Sequence, residues 1–140
     1  GGGEDFISGG DGQDLLYAGA GSDVIVGGYG NDQLHGRNGR DELYGGNGHD
    51  WLFGGRGDDT LSGAAGTDIF HFRAGFREGT DTITDFSSDD IIQIQGATFE
   101  ELSISQQNSD AIVELAGSFK IKLSDYDASD VNEQTFEFLA

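Results

Sequence analysis

Aspartate recurs every nine residues through the first half of the chain, at Asp5, Asp14, Asp23, Asp32, Asp41, Asp50, Asp59 and Asp68. A glycine stands two residues before each, at Gly3, Gly12, Gly21, Gly30, Gly39, Gly48, Gly57 and Gly66. An apolar residue stands two residues after each, at Ile7, Leu16, Ile25, Leu34, Leu43, Leu52, Leu61 and Phe70. The unit is G-G-x-G-x-D-x-U-x, with U apolar. Its first copy is truncated, Ala18 takes the first glycine of the third copy, and Arg37 and Ala64 take the second glycine of the fifth and eighth. A fixed period of this kind marks a stacked repeat architecture. A flexible Gly-Asp linker has no reason to keep an apolar residue at every ninth place.

The pattern predicts its own geometry. Glycine enters positive φ without steric cost, so six residues of the unit can turn tightly and aim carbonyl oxygens inward. The remaining three form a short strand whose middle residue, U, faces the interior while its neighbours face out. Two repeats close one coil of a flattened helix, and eight repeats make about four coils. At about 4.8 Å per strand the roll would be ~19 Å long. The expected fold is all-β: a right-handed parallel β-roll over residues 1–71, followed by a β-rich C-terminal capping region over 72–140.

Each coil buries only two U side chains, so apolar burial is thin. Stacked turns bring aspartates of alternate repeats together, and carboxylates about 5 Å apart repel by roughly 1 kcal/mol in water and more in a drier site. A divalent cation between them reverses the sign. Carboxylates with many carbonyls form an all-oxygen, high-coordination cage that suits calcium; magnesium prefers octahedral geometry with retained water, and zinc prefers nitrogen or sulfur. The candidate ligands are the eight repeat aspartates with the turn glycines Gly1, Gly3, Gly10, Gly12, Gly19, Gly21, Gly28, Gly30, Gly39, Gly46, Gly48, Gly55, Gly57 and Gly66. Gaps between stacked turns number three on each side, which predicts six ions. Six ions would move the net charge from −19 to about −7.

That charge, from 26 acidic and 7 basic residues, repels nucleic acid and anionic membranes and attracts cations. Without a counter-ion such a composition reads as disorder. No stretch reaches the roughly 20 apolar residues of a transmembrane segment, and no signal peptide with a basic head and apolar core opens the chain. Gly1 lies inside a repeat, so the chain is expected to continue a longer protein. Cysteine is absent, which removes disulfide staples.

After Phe72 the period stops and alternating segments begin: 80–86, 91–95, 102–105, 111–115, 119–123 and 135–139 read as strands. Turns are expected around Asn108–Asp110 and at Ala116-Gly117-Ser118, with a short helical turn between Ser124 and Glu133. Phe86, Phe99, Phe119, Phe136 and Phe138 are suited to covering Phe70 and Phe72 at the end of the roll.

The nonapeptide resembles that of RTX (repeats-in-toxin) hemolysin-type calcium-binding proteins. The continuation Asp68-Ile69-Phe70-His71-Phe72, Gly79-Thr80-Asp81-Thr82-Ile83-Thr84-Asp85-Phe86 and Asp90-Ile91-Ile92-Gln93-Ile94 resembles the segment after the repeats in serralysin-type metalloproteases and other type I-secreted proteins. Gln93 stands where that family usually has a further acid. The ending Phe136-Glu137-Phe138-Leu139-Ala140 is similar to the acidic-hydrophobic ends that type I secretion machinery reads. The resemblance implies a bacterial module exported unfolded, secreted to the extracellular space and folded there on calcium, stabilising or helping to export a larger protein whose upstream domain is its partner. It also implies a seventh ion near Asp81 and Asp90.

No H-E-x-x-H or G-x-S-x-G motif is present, and adjacent acids such as Asp58-Asp59 read as a solvated turn residue beside a repeat ligand. The chain is therefore expected to be non-catalytic. His35, His49 and His71 fall at variable positions, with His35 and His71 facing out and His49 in a turn. The outward pair Trp51 and Phe53 is expected to be covered by the tail. An alternative is a carbohydrate-binding repeat module for an alginate-like polymer, as in mannuronan epimerases. That reading requires a basic groove, for which Arg37, Arg40, Arg56, Arg73 and Arg77 are available, the first three expected in turns.

Overall fold

Every repeat contributes one strand in the computed structural model, which describes all 140 residues. The strands are Phe6–Asp11 (β1), Leu15–Ala20 (β2), Val24–Tyr29 (β3), Gln33–Asn38 (β4), Glu42–Asn47 (β5), Trp51–Arg56 (β6), Thr60–Ala65 (β7) and Ile69–Arg73 (β8). Strands two repeats apart pair in parallel, Ile7 beside Ile25, Ile25 beside Leu43 and Leu16 beside Leu34. Odd strands build one sheet and even strands the other. The strands from β1 to β7 are six residues long, twice the expected three. The ladder continues through the turn glycines, which stack on one another as Gly10 on Gly28 and Gly28 on Gly46. Gly28, at φ 119, holds a backbone conformation that side chains rarely adopt.

Arg37 and Ala64 occupy that same place in their repeats and keep the left-handed backbone, at φ 82 and φ 70. Arg37 lies inside β4 and Arg56 ends β6, so neither sits in a turn as the repeat pattern suggested.

Inside, Ile25, Leu34, Leu43, Leu52, Leu61 and Phe70 are fully buried. Ile7 and Leu16, in the outermost coil, are half-buried.

The roll does not stop where the nonapeptide does. Gly79–Ile83 (β9) pairs in parallel with β7, and Ile91–Gln95 (β10) with β8, giving a solenoid of about five turns rather than four. Partners here are 22 residues apart, against 18 in the repeats. The difference is one short insertion before Gly79. After it, Gly79-Thr80-Asp81-Thr82-Ile83 restores G-x-D-x-U, and Asp90 follows Asp81 by the usual nine.

The rest of the tail forms Ser103–Gln107 (β11), Asp110–Leu115 (β12), Phe119–Leu123 (β13) and Phe136–Leu139 (β14), with short 3-10 turns at Phe99–Glu101, Ala128–Asp130 and Glu133–Thr135. β13 stacks in parallel on β9 and β14 on β10, while β12 and β11 extend the odd sheet antiparallel. Phe86 lies 6.1 Å from Phe70 and Phe119 lies 5.6 Å from Phe72, ring centre to ring centre. The end of the roll is thus closed by aromatics.

The tail does not cover the outer face of the even sheet. It prolongs the stack along its axis, so Trp51 remains 39% exposed. On that face Tyr17, His35, Phe53 and His71 stack into a column with ring centres 4.5, 4.3 and 4.8 Å apart. The 18-residue register places these four side chains one above another, so they cover each other and need no tail.

Candidate metal centre

The aspartate immediately precedes each strand, and the register stacks it on the aspartate two repeats away. Its backbone N–H donates to Oδ1 of that neighbour: Asp5 to Asp23 at 2.7 Å, Asp23 to Asp41 at 2.9 Å, Asp41 to Asp59 at 2.8 Å and Asp59 to Asp81 at 2.9 Å. The other edge carries the matching ladder, Asp14 to Asp32 and Asp32 to Asp50 at 2.8 Å, then Asp50 to Asp68 and Asp68 to Asp90 at 2.9 Å. Asp81 and Asp90 therefore stand in the ladders as the ninth and tenth members. From Asp23 onward these carboxylates are buried.

One oxygen fixes the register; the other is free. Oδ2 of Asp14, Asp23, Asp32, Asp41, Asp50, Asp59 and Asp81 is buried with no hydrogen-bond partner. A buried polar atom without a partner is costly and rare in folded proteins. Seven repeating ones form one side of a cation cage.

The other side is backbone. A Cβ placed on Gly27 would stand 2.5 Å from Asp32 Oδ2 and 2.5 Å from the Gly45 carbonyl oxygen. On Gly36 it would meet Asp41 Oδ2 at 2.5 Å and the Gly54 oxygen at 2.6 Å. Carboxylate and carbonyl thus converge over a bare Cα. These are the first glycines of their repeats, Gly9, Gly27, Gly36, Gly45, Gly54 and Gly63, which the ligand set above omitted. Their signal was the two-residue alternation from U, which points them inward. The second and third glycines form the turns, most of them at positive φ.

No three acidic, histidine or cysteine side chains converge anywhere. An ion here must take most of its ligands from carbonyls, which suits calcium and not zinc. Four of the partnerless carboxylates, Asp41, Asp50, Asp59 and Asp81, show the cost of buried charge. Burial pushes Asp41 and Asp50 upward, Asp68 to about 6, Asp59 to about 7 and Asp81 to about 9. The ladder N–H opposes this, and the neighbouring ladder acids add to it.

The last members differ. Asp90 spends both oxygens, Oδ1 on the Asp68 N–H and Oδ2 on the Ser87 N–H at 2.8 Å. Asp81 keeps Oδ2 free, but Ile121, fully buried, is its partner on the far side, so the odd ladder ends there. Asp5 is half-exposed. Gln93 is not in a ladder. It faces the outer column, bonded to His71 Nδ1 and to Glu137 at 2.8 Å each, so an acid there would not have reached the cage.

Two acids escaped the sequence reading. Asp85 closes the edge of β7, accepting from the Ser62 hydroxyl at 2.6 Å and the Ala64 N–H at 2.9 Å. Glu78 is buried, accepts from the Arg73 N–H at 3.0 Å, and is pushed to about 7 by burial, with the Asp59 charge a lesser cause. Neither lies on the nine-residue period.

Fold and donor set together define a calcium-binding parallel β-solenoid. The family model of the RTX calcium-binding nonapeptide repeat (4 copies) matches residues 1–25, 17–52 and 44–76, more than half of the chain. The chain belongs to that family. No curated protein sequence matches it. Among solved structures it is similar to the extracellular lipase LipA from Serratia marcescens, with 16% identity and a TM-score of 0.52. That likeness covers 96% of this chain and 38% of the lipase, and shows a shared fold. It also matches two subunits of the Azotobacter vinelandii mannuronan C5-epimerase. AlgE6R3 has 28% identity, a TM-score of 0.44 and coverage of 92% of this chain and 80% of the other. AlgE6R2 has 23% identity, a TM-score of 0.47 and coverage of 95% and 91%.

Proposed function

We propose that this chain is a non-catalytic module of a larger extracellular bacterial protein, exported unfolded by type I secretion and folded outside the cell by calcium. The observation that carries the reading is the row of buried, partnerless Oδ2 atoms. Calcium supplies positive charge between stacked carboxylates and carbonyls. The chain does the rest. The repeat aspartates hold the charge, the first glycines leave room for it, and the Oδ1 bonds keep successive turns in register. Where calcium is scarce the stacked acids repel and the ladder is disfavoured; where it is abundant the same residues drive folding.

Burial of the segment Phe136–Leu139 fits this order of events. Phe136 is buried in β14 and Phe138 is half-buried beside it. Secretion machinery that reads this segment reads it before folding. Folding outside then hides the signal and gives the upstream domain a rigid neighbour.

One ion per ladder step, omitting the step to Asp90 whose oxygens are engaged, assigns seven ions. The test is a calcium titration followed by far-ultraviolet circular dichroism, with bound calcium counted at saturation. β structure should appear with calcium, and Asp81→Asn should bind one ion fewer. Identical spectra in chelator and in calcium would sink the reading.

A further inference from the structure

Two of the asparagines are followed by glycine, Asn38-Gly39 and Asn47-Gly48. Each asparagine is the last residue of its strand, β4 or β5, and each glycine is the third of its repeat. Both asparagine side chains are exposed, and neither makes a hydrogen bond. Asn31 and Asn132 differ: Oδ1 of the first accepts from the His49 N–H and Oδ1 of the second from the Gln134 N–H, each at 2.9 Å. Asn108 precedes serine.

An Asn-Gly pair carries a reaction of its own. The glycine backbone nitrogen attacks the asparagine Cγ, a five-membered succinimide closes, and ammonia leaves. Water then opens the ring at either carbonyl, giving aspartate or isoaspartate. Glycine favours the attack because no Cβ shields its nitrogen and its backbone turns freely. In the folded roll the attack is blocked. The Gly39 N–H donates to the Arg56 carbonyl and the Gly48 N–H to the Ala65 carbonyl, both at 2.8 Å. The Asn38 carbonyl accepts from the Gly21 N–H at 3.0 Å, and the Asn47 carbonyl from the Gly30 N–H at 2.8 Å. Each Asn–Gly peptide is thus clamped by the coils on both sides, while the asparagine side chain stands out from its strand. Ring closure requires the coil to open.

We propose that Asn38 and Asn47 are modification sites guarded by calcium: they convert to isoaspartate in the calcium-free chain and stay asparagine in the loaded roll. The consequence falls on the ladders. Isoaspartate routes the backbone through Cβ and lengthens it by one bond, about 1.5 Å. Asn38 is in register with Ala20 and Arg56, and Asn47 with Tyr29 and Ala65. The added atom lies three residues before Asp41 and Asp50, the middle members of the two ladders, each with a buried, partnerless Oδ2. Their register hangs on bonds of 2.8 and 2.9 Å to the coils on either side, which cannot absorb such a shift. Time spent without calcium is therefore written into the chain, and a modified chain loses the middle of the roll when calcium returns. The proposal rests on the calcium reading for what closes the coils.

The test ages the full chain in mildly alkaline buffer at body temperature, in chelator and in saturating calcium, and locates deamidation by peptide mass spectrometry, with isoaspartate told from aspartate by fragmentation. Asn38 and Asn47 should react in chelator well ahead of the other asparagines. In calcium both should slow at least ten-fold, because ligand at about 100 times its Kd lowers the open population about 100-fold. Chelator-aged protein returned to calcium should regain less β signal and bind less calcium, in proportion to its isoaspartate. The double variant Asn38→Gln and Asn47→Gln, whose side chains would have to close a less favoured six-membered ring, should fold like the parent when fresh and keep that capacity after ageing. Equal rates at both sites in chelator and in calcium, with circular dichroism showing that calcium folds the chain, overturn the proposal and leave the calcium reading intact. Full recovery of chain carrying isoaspartate overturns it too, and so does equal loss of capacity in the variant. A chain that calcium does not fold ends both readings.

Discussion

Gly27→Ala places one methyl group at the point where carboxylate and carbonyl converge. The new Cβ would lie 2.5 Å from Asp32 Oδ2 and 2.5 Å from the Gly45 oxygen, each about 1 Å inside ordinary contact. Neither neighbour can move freely, because Asp32 is fixed by the Asp14 N–H and Gly45 belongs to the stacked ladder. Overpacking of this kind costs about 1–3 kcal/mol. The third copy sets the scale. Ala18 stands at the equivalent place, buried, and the ladder still passes it, so the lower end of that range is expected. The loss should appear in calcium and not in chelator, because the clash exists only in the folded roll. A calcium titration by circular dichroism should show a raised midpoint. Ala18→Gly is the mirror experiment and should lower the midpoint. An unchanged midpoint in Gly27→Ala would refute the assignment of the first glycines to the cage.

Arg37→Gly and Ala64→Gly should each stabilise the calcium-loaded protein by about 1 kcal/mol in chemical denaturation, since both remove a side chain from a left-handed backbone. Residues 1–71 alone should need much more calcium to fold than the full chain, or fail to fold, because Phe70 loses its cover and β7 and β8 lose their partners; equal midpoints and equal signal per repeat would contradict this. Calcium-free protein should gain β structure as pH falls from about 9 to 6.5. Asp81 at about 9 and Asp59 at about 7 are raised in the fold, so the ion-free fold binds protons there, and its stability is lost as pH rises through those values. His35 and His71, lowered by burial, oppose the gain only below the ordinary imidazole range. Circular dichroism against pH without calcium checks the sign.

The repeat region was legible because one residue type per position carries one physical job. Ile25 and Leu34 fill the interior, Asp23 and Asp32 form the ladder, and glycine turns the chain. The fifth coil was harder to see. Asp81 and Asp90 keep the nine-residue spacing, but the insertion before Gly79 shifts them out of phase with Asp68, and a strict period search stops there. The strands of the tail were readable from alternation; their parallel stacking on β9 and β10 was not, because register in a solenoid is set by the coil beneath. The outer column was lost for a related reason. Tyr17, His35, Phe53 and His71 look like scattered variable residues until the 18-residue stagger brings them together. Arg37, Arg56 and Arg73 were visible as cations, but that three strands bring them around one groove needed the same stagger.

The end of the ladder explains why a tail is needed at all. A stack of aspartates held by cations has no natural last member, since each new carboxylate calls for another ion and another coil. The chain ends it by exchanging residue types in place. Beyond Asp81 the next residue in register is Ile121, and beyond Gly54 the inward row passes to Phe72, Ile94 and Phe138. Charge gives way to apolar volume over a single coil, so Asp81 faces a dry surface rather than water. That is also why Asp81 is the most strongly perturbed acid of the ladder. Ions and apolar core therefore meet at one boundary. If burial of the tail orders β9 and β10, the first calcium finds two turns already in place, and the costliest step in starting the stack is removed; the comparison of residues 1–71 with the full chain tests this.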